Sequence, residues 1–218
     1  ARLRALLDEV WHEEALLAYK RALGALGSSD GAARASLHER IGRVRVAQGK
    51  RREAIASFEK ALALGGEAAP LLAKLLELNL QEGDRRAIIT LEDKLLTLVS
   101  GRERPQLLRL YAERWREGGA EPDLARAREL LEAARELSPV LSGEAKGPAS
   151  PSELALLADL AAVFDALGNG LEAFAALRQR ANLTADARAR AGALTALAER
   201  VLAEKRGARA RLVEVFAH

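Results

Sequence analysis

Few side chains in this sequence could do chemistry, and none of them is spaced for it. The three histidines, His12, His38 and His218, are far apart in the chain, and cysteine does not occur. Metal sites and nucleophilic centres need several such groups close together. We expect His12 in a solvated turn and His38 on a helix face, and we predict neither a bound metal nor a cofactor.

Carboxylates and glycines lead to the same expectation. Adjacent acids such as Glu92-Asp93 are common on helix surfaces and at helix starts, where they favour the helix dipole. The chain has no Gly-x4-Gly-Lys-Ser/Thr loop, and Gly168-Asn169-Gly170 has the pattern of a turn between two helices. We therefore predict that the chain is not an enzyme.

The composition predicts an all-α fold. The 218 residues are 49% hydrophobic and 30% charged, and aromatic residues make up only 4%. Val, Ile and Thr are scarce, whereas Ala, Leu, Arg and Glu, which lose little free energy on entering a helix, predominate. A charged residue interrupts every long apolar stretch, so no membrane span is expected.

The ends of the sequence carry little information about its cellular location. The first residues lack the order of basic, apolar and small residues that a secretory leader has. Because the chain begins at Ala1 and contains no Met, we expect an excised fragment or a processed piece. The compartment stays open, with the cytoplasm as the default assignment.

Glycine-rich breaks divide the chain into short helices joined by tight turns, which predicts antiparallel hairpins. The one longer break, from Ser138 to Ser152, is rich in Pro, Gly and Ser. It is either a linker between domains or a loop inserted in one continuous stack. Hairpins of the same kind resume on both sides, which favours the inserted loop and a single domain over residues 1–218.

An internal repeat is the most informative feature of the sequence. The second helix of each predicted hairpin has a small residue, a large residue four positions later and often another small residue three positions after that. This spacing puts all three on one helix face, where a bulky side chain fits between close helices. The positions are Ala15, Tyr19 and Ala22; Ala54, Phe58 and Ala61; Ala87 and Leu91; Ala127, Leu131 and Ala134; Ala173 and Leu177.

These residues, with Ile41-Gly42 and Tyr111-Ala112 on the preceding helices, resemble the tetratricopeptide repeat family. The resemblance covers about five units and a degenerate helical piece from Thr184 to His218. It is weakest where Lys94 and Arg180 stand at expected small positions. It implies an α-solenoid, a right-handed superhelix of antiparallel helix-turn-helix repeats, whose first helices line a concave groove.

The groove predicts a function in protein binding, because a curved stack can hold an extended or helical segment of a partner. Arg34 to Arg52 contains seven basic residues and one acid, which suggests an acidic partner. The first helices do not reproduce the lysine and asparagine set with which some family members grip a terminal carboxylate. The residues predicted to line the groove are Glu39, Arg40, Arg43, Lys74, Glu77, Arg109, Glu113 and Arg116, followed by the acidic Asp159 and Asp165.

Two other functions stay open at this point. A nucleic-acid-binding helical repeat would use the same basic stretch, but no regular set of base-reading or stacking side chains supports it. The chain could also regulate an enzyme outside the sequence. Self-association is a further expectation, because Leu212, Val213, Val215 and Phe216 would form an apolar patch at the end of the stack.

Overall fold

A computed structural model of the chain describes residues 2–27, 29–118 and 122–203. Within these ranges every regular element is an α-helix, which confirms the predicted all-α class. None of these helices has the length and apolar character that a membrane crossing requires. The helices are α1 (Arg2–Ala25), α2 (Gly31–Ala47), α3 (Arg51–Ala63), α4 (Ala68–Glu82), α5 (Arg85–Leu98), α6 (Glu103–Glu117), α7 (Leu124–Glu136), α8 (Pro139–Ser142), α9 (Pro151–Ala166), α10 (Gly170–Leu183) and α11 (Ala187–Ala203).

The chain forms two compact units, Ala1–Val99 and Ser100–His218. In the first unit, α2 pairs with α3 and α4 pairs with α5, while α1 packs on α2 and α3 on α4. In the second unit, α6 pairs with α7 and α9 with α10, while α9 also packs on α7 and α11 on α10. These repeated pairs of neighbouring helices are the architecture that the resemblance implies. That one domain spans residues 1–218 stays a prediction.

Two residues determine the turn between α4 and α5. Gly83 ends α4 with a left-handed backbone at φ 75°, which glycine adopts without a steric penalty. The next residue, Asp84, caps α5, because its carboxylate accepts a hydrogen bond from the Ala87 backbone N at 3.1 Å. The turn at Gly83 and the cap at Asp84 reverse the chain within two residues, so α4 and α5 pack as a hairpin.

The small-large-small spacing is confirmed by burial in two of the three units with the full pattern, whereas Ala15, Tyr19 and Ala22 on α1 are only partly buried. Ala54, Phe58 and Ala61 on α3 are at most 1% exposed. The corresponding residues of α7, Ala127, Leu131 and Ala134, are at most 2% exposed. These helices therefore bury the predicted face against their neighbours.

The weaker units depart from the pattern where the sequence does. Lys94 and Arg180 are both exposed, so neither charge enters the core. On α10 the aromatic Phe174, which is 6% exposed, packs with Leu197 of α11. Leu177, which the sequence predicts as the large residue of the pattern, is only partly buried against them. In this unit the buried large residue is therefore Phe174, three residues or nearly one helical turn before the predicted Leu177.

The segment from Ser138 to Ser152 lies within the second unit. It contains α8, which Ser138 caps and Pro139 begins. Two hydrogen bonds fasten it to α10: Gln179 Nε2 donates to the Leu141 carbonyl at 2.8 Å, and the Ala149 N donates to the Leu183 carbonyl at 3.1 Å.

The C-terminal prediction is partly covered by the structure. The long helix expected from Thr184 begins at Ala187, where the preceding Asp186 accepts a hydrogen bond from the Ala189 N at 2.6 Å. The apolar residues expected to self-associate, Leu212, Val213, Val215 and Phe216, lie outside the described residues.

Candidate partner-binding surface

In the first unit, the predicted groove residues lie on the first helices α2 and α4 and pair mainly within their own helix. Glu39 forms an ion pair with Arg43 one turn later on α2. Lys74 Nζ lies 2.7 Å from Glu77 Oε2 on α4. Arg40 is exposed and forms no ion pair with any residue that the structure describes. No hydrogen bond or ion pair joins the two sets across the described part of this unit.

The basic stretch of this unit is partly neutralised. Arg45 turns towards α3, where its Nη1 donates to Ser57 Oγ at 2.8 Å and to the Glu53 carbonyl at 2.9 Å. Arg51 and Arg52 both face Glu82, with N–O distances of 3.8 and 3.1 Å. The run of charge that favours a nucleic acid in the sequence therefore does not form one unpaired stripe.

The nearby cations of this stretch affect the pKa of His38. Partial burial, then the charges of Lys60, Arg34 and Arg45, lower the pKa of His38 below its ordinary value of 6.5. The imidazole therefore stays neutral near pH 7. Among the described residues, no group of three His, Cys, Asp or Glu side chains is placed to hold a metal ion.

In the second unit, predicted groove residues from different repeats are in contact. Arg109 and Arg116 lie seven positions apart on α6, so they share one helix face. The carboxylate of Asp159, on α9, lies between them. Its Oδ2 accepts from Arg109 Nη2 at 2.7 Å and Nε at 3.2 Å, and its Oδ1 lies 3.4 Å from Arg116 Nη1. The side chains of Arg109 and Arg116 on α6 and of Asp159 on α9 thus face each other.

These side chains line a depression of about 310 Å³, here named the α6 depression, together with Gln106, Leu110 and Glu113. Arg116 also pairs with Glu117 at 2.7 Å. That hydrogen bond, and the charge of Asp159, raise the pKa of Arg116 against the opposing effect of burial. Glu113 is exposed and forms no ion pair with the described residues. The arginines are neutralised internally, so the unpaired charge at this depression is negative.

A larger cleft of about 690 Å³, here named the α6 cleft, continues from the depression. It lies between the start of α6, the end of α7, α8 and the start of α9, and Gln106 and Arg109 line both spaces. Sequence reasoning missed this cleft, because its walls come from residues as far apart as Ser100 and Leu156. The Pro and Ser residues of the predicted loop were the only signal of it.

A network of hydrogen bonds fixes the α9 side of the cleft. Ser150 caps α9 in a capping box with Glu153, whose carboxylate accepts from the Ser150 N at 2.7 Å and Oγ at 2.6 Å. Ser138 Oγ, from the cap of α8, donates to the same carboxylate. Burial raises the pKa of Glu153, but the three hydrogen bonds together outweigh it, so the net effect lowers the pKa below its ordinary value of 4.5.

No protein-family model matches the chain, and no curated protein matches it. Solved structures with a similar fold include three at low sequence identity. MamA is 16% identical, with 78% of this chain and 86% of that chain covered and a TM-score of 0.42. YrrB, described as a TPR protein with an unusual peptide-binding site, is 20% identical, with 88% of each chain covered and a TM-score of 0.44.

The third is a putative kinesin light chain from Podosopora anserina with nearly identical TPR-like repeats. It is 20% identical, with 84% of this chain and 94% of that chain covered and a TM-score of 0.45. Within each unit the chain is an all-α helical repeat built from neighbouring helix pairs, and its sequence repeat resembles the tetratricopeptide pattern.

Proposed function

We propose that the chain is a non-catalytic protein-interaction module that binds a segment of a partner protein on the first helices of its repeats. The observation that carries this proposal is the meeting of Arg109, Arg116 and Asp159, from α6 and α9, around the α6 depression. A pre-formed concave site with fixed polar groups is the usual setting for recognition of a peptide.

The second unit supplies both anchoring and orienting groups. Leu110 is 53% exposed at the depression and offers an apolar contact. Glu113 is exposed beside it and suits a cation on the partner. Arg109, Asp159 and Arg116 hold each other in place, which lowers the entropy cost of using them as hydrogen-bonding groups. The site therefore fits a segment with mixed charge better than a purely acidic one.

The first unit supplies a second proposed contact surface. Arg40 is the exposed and unpaired cation among its predicted groove residues, and Glu39, Arg43, Lys74 and Glu77 form ion pairs on the same two helices. Exposed pairs of this kind are worth little to stability, so they can exchange partners at low cost.

A peptide library displayed on phage and selected on the whole chain tests the proposal. Ligands that emerge are measured against Glu113→Lys on α6 and Arg40→Glu on α2. The matched controls are Glu136→Lys and Arg86→Glu, which reverse exposed charges on the second helices α7 and α5. We expect at least one of the first-helix variants to weaken each ligand about tenfold, a loss of roughly 1.4 kcal/mol, and the controls to change binding less than about twofold.

Two results would overturn the proposal. One is a selection that enriches no peptide over an unrelated helical protein. The other is a set of ligands whose affinities respond equally to the first-helix variants and to the second-helix controls.

A further inference from the structure

The α6 cleft differs from the neighbouring depression in its balance of charge. Arg102 and Arg104 both line it and are both exposed, and neither forms an ion pair within the described ranges 2–27, 29–118 and 122–203. Glu103, which stands between them in sequence, does not line the cleft. The one carboxylate in the wall, Glu153, is held by Ser138 and Ser150. The cleft is therefore left with positive charge.

The rest of the wall is largely apolar. Leu137, at the end of α7, is 45% exposed, and Leu156 of α9 forms the buried side. Pro105 and Pro139 complete it. An exposed leucine beside unpaired arginines fits a ligand that carries an apolar side chain next to a carboxylate. The apolar side chain is then buried against the leucine. The carboxylate pairs with the arginines.

We propose that the α6 cleft binds an acidic and apolar segment of the partner protein, with its carboxylate at Arg102 and Arg104 and the adjacent apolar side chain on Leu137 and Leu156. This inference rests on the proposed function, because it names the partner chemistry at one end of the same surface. The arginine guanidinium groups hold the carboxylate, and their charge sets the direction in which the segment lies.

The position of Glu113 extends this chemistry along α6. Glu113 follows Arg102, the N-cap of α6, by eleven residues, which is about three turns and about 16 Å along a helix, so the two positions lie on one side of it. An extended segment covers this distance in about five residues. The partner segment therefore carries an acid next to an apolar residue and a basic residue about five positions beyond the acid.

The test uses a fluorescein-labelled peptide of about eleven residues with Asp-Leu in sequence, Lys five residues after the Asp, and Gly and Ser elsewhere. Its anisotropy is measured with the whole chain. We expect saturable binding that the double variant Arg102→Glu/Arg104→Glu weakens at least about tenfold. The control double variant Arg180→Glu/Arg188→Glu reverses two exposed charges on α10 and α11 and is expected to leave the affinity within about twofold.

A second pair of measurements separates the apolar contact from the charge. Leu137→Ser, a change at a partly exposed position, is expected to weaken the peptide about threefold and to have no effect on a peptide with Ser in place of its Leu. Helical circular dichroism establishes that each variant is folded.

Three results would overturn the inference: no binding of the probe to the unchanged chain, equal binding to the Arg102/Arg104 double variant, or equal binding of a probe with Asn in place of Asp. Library ligands that depend on Glu113 but not on Arg102 and Arg104 would remove the inference and leave the proposed function standing. A library without any ligand would remove both.

Discussion

The ring of Phe58 occupies the space that a side chain on Gly42 would need. A Cβ on Gly42 would lie 2.8 Å from Cε1 and Cζ of the ring, closer than carbon atoms can approach without movement. Both residues are buried, Gly42 on α2 and Phe58 on α3. Because Gly42 has no side chain, α2 can pack closely against the ring of Phe58 on α3.

Gly42→Ala is expected to destabilise the chain, although alanine favours helices. The propensity gain is about 1 kcal/mol, whereas forcing a methyl group into a packed core costs about 1–3 kcal/mol. Gly192 on α11 is the control, because a Cβ there meets nothing within 4 Å. Gly192→Ala should therefore stabilise. Urea unfolding followed by circular dichroism measures both changes.

The double variant Gly42→Ala/Phe58→Leu identifies the cause. If the ring is the obstacle, the two changes together should cost less than the sum of the single changes. Strict additivity would contradict the packing explanation.

Glu153 should make stability fall at acid pH. Its pKa is lowered in the folded chain, so its contribution is fully present above the unfolded-state value, near 4.5, and is lost as the pH falls through the lower folded-state pKa. Glu153→Gln should reduce this loss below pH 4.5 and lower stability at pH 7. Urea titrations at pH 7, 5 and 3 measure the difference. An unchanged pH dependence in Glu153→Gln would show that the network does not hold the carboxylate.

His38 should act in a separate and higher pH window. Because burial and the charges of Lys60, Arg34 and Arg45 lower its pKa, the unfolded chain takes up the proton first as the pH falls below 6.5. Stability should therefore decrease from pH 6.5 down to the folded-state pKa and then level off. Nuclear magnetic resonance of the imidazole gives that pKa, which Lys60→Ala should raise.

His38→Gln is the matching stability variant. It should remove the slope just below pH 6.5 and leave the acid loss due to Glu153 in place. A slope that persists in this variant would have to come from another group.

Asp159→Asn should shift the preference of the α6 surface towards acidic ligands. Removing the carboxylate frees Arg109 and Nη1 of Arg116, which keeps its pair with Glu117, to bind the partner instead; the two side chains are 32% and 28% exposed. We expect the acidic and apolar probe to bind about two- to fivefold more tightly and stability to fall by up to about 1 kcal/mol. Glu136→Gln, an exposed change on α7, should do neither. Weaker binding of the probe would mean that Asp159 positions the arginines for the ligand.

Local spacing was enough to predict much of the core. Ala54, Phe58 and Ala61 lie on one helix face whatever surrounds the helix, so their burial follows from periodicity. Leu177 shows the limit of that reasoning. Its partial burial depends on Phe174 and on Leu197 of α11, and a degenerate last helix gives no spacing from which to predict such a contact.

The candidate surface was predictable only in outline. The helix faces of Arg109 and Arg116 follow from their positions in the repeat, but their shared partner Asp159 lies 50 residues after Arg109. Ser138 and Glu153 likewise meet across an inserted segment whose path the repeat pattern does not specify. Pairings over such distances depend on how the hairpins stack, which no local pattern encodes.

The two hydrogen bonds that fasten the inserted segment to α10 have a practical consequence. Leu141 and Ala149 are held by Gln179 and Leu183, and residues 142–148 between them are exposed. With both ends fixed, added residues cost only a slowly rising closure entropy. This short span is therefore a place where a fluorophore or an affinity tag can be grafted to report on ligand binding while the helices on either side keep their register.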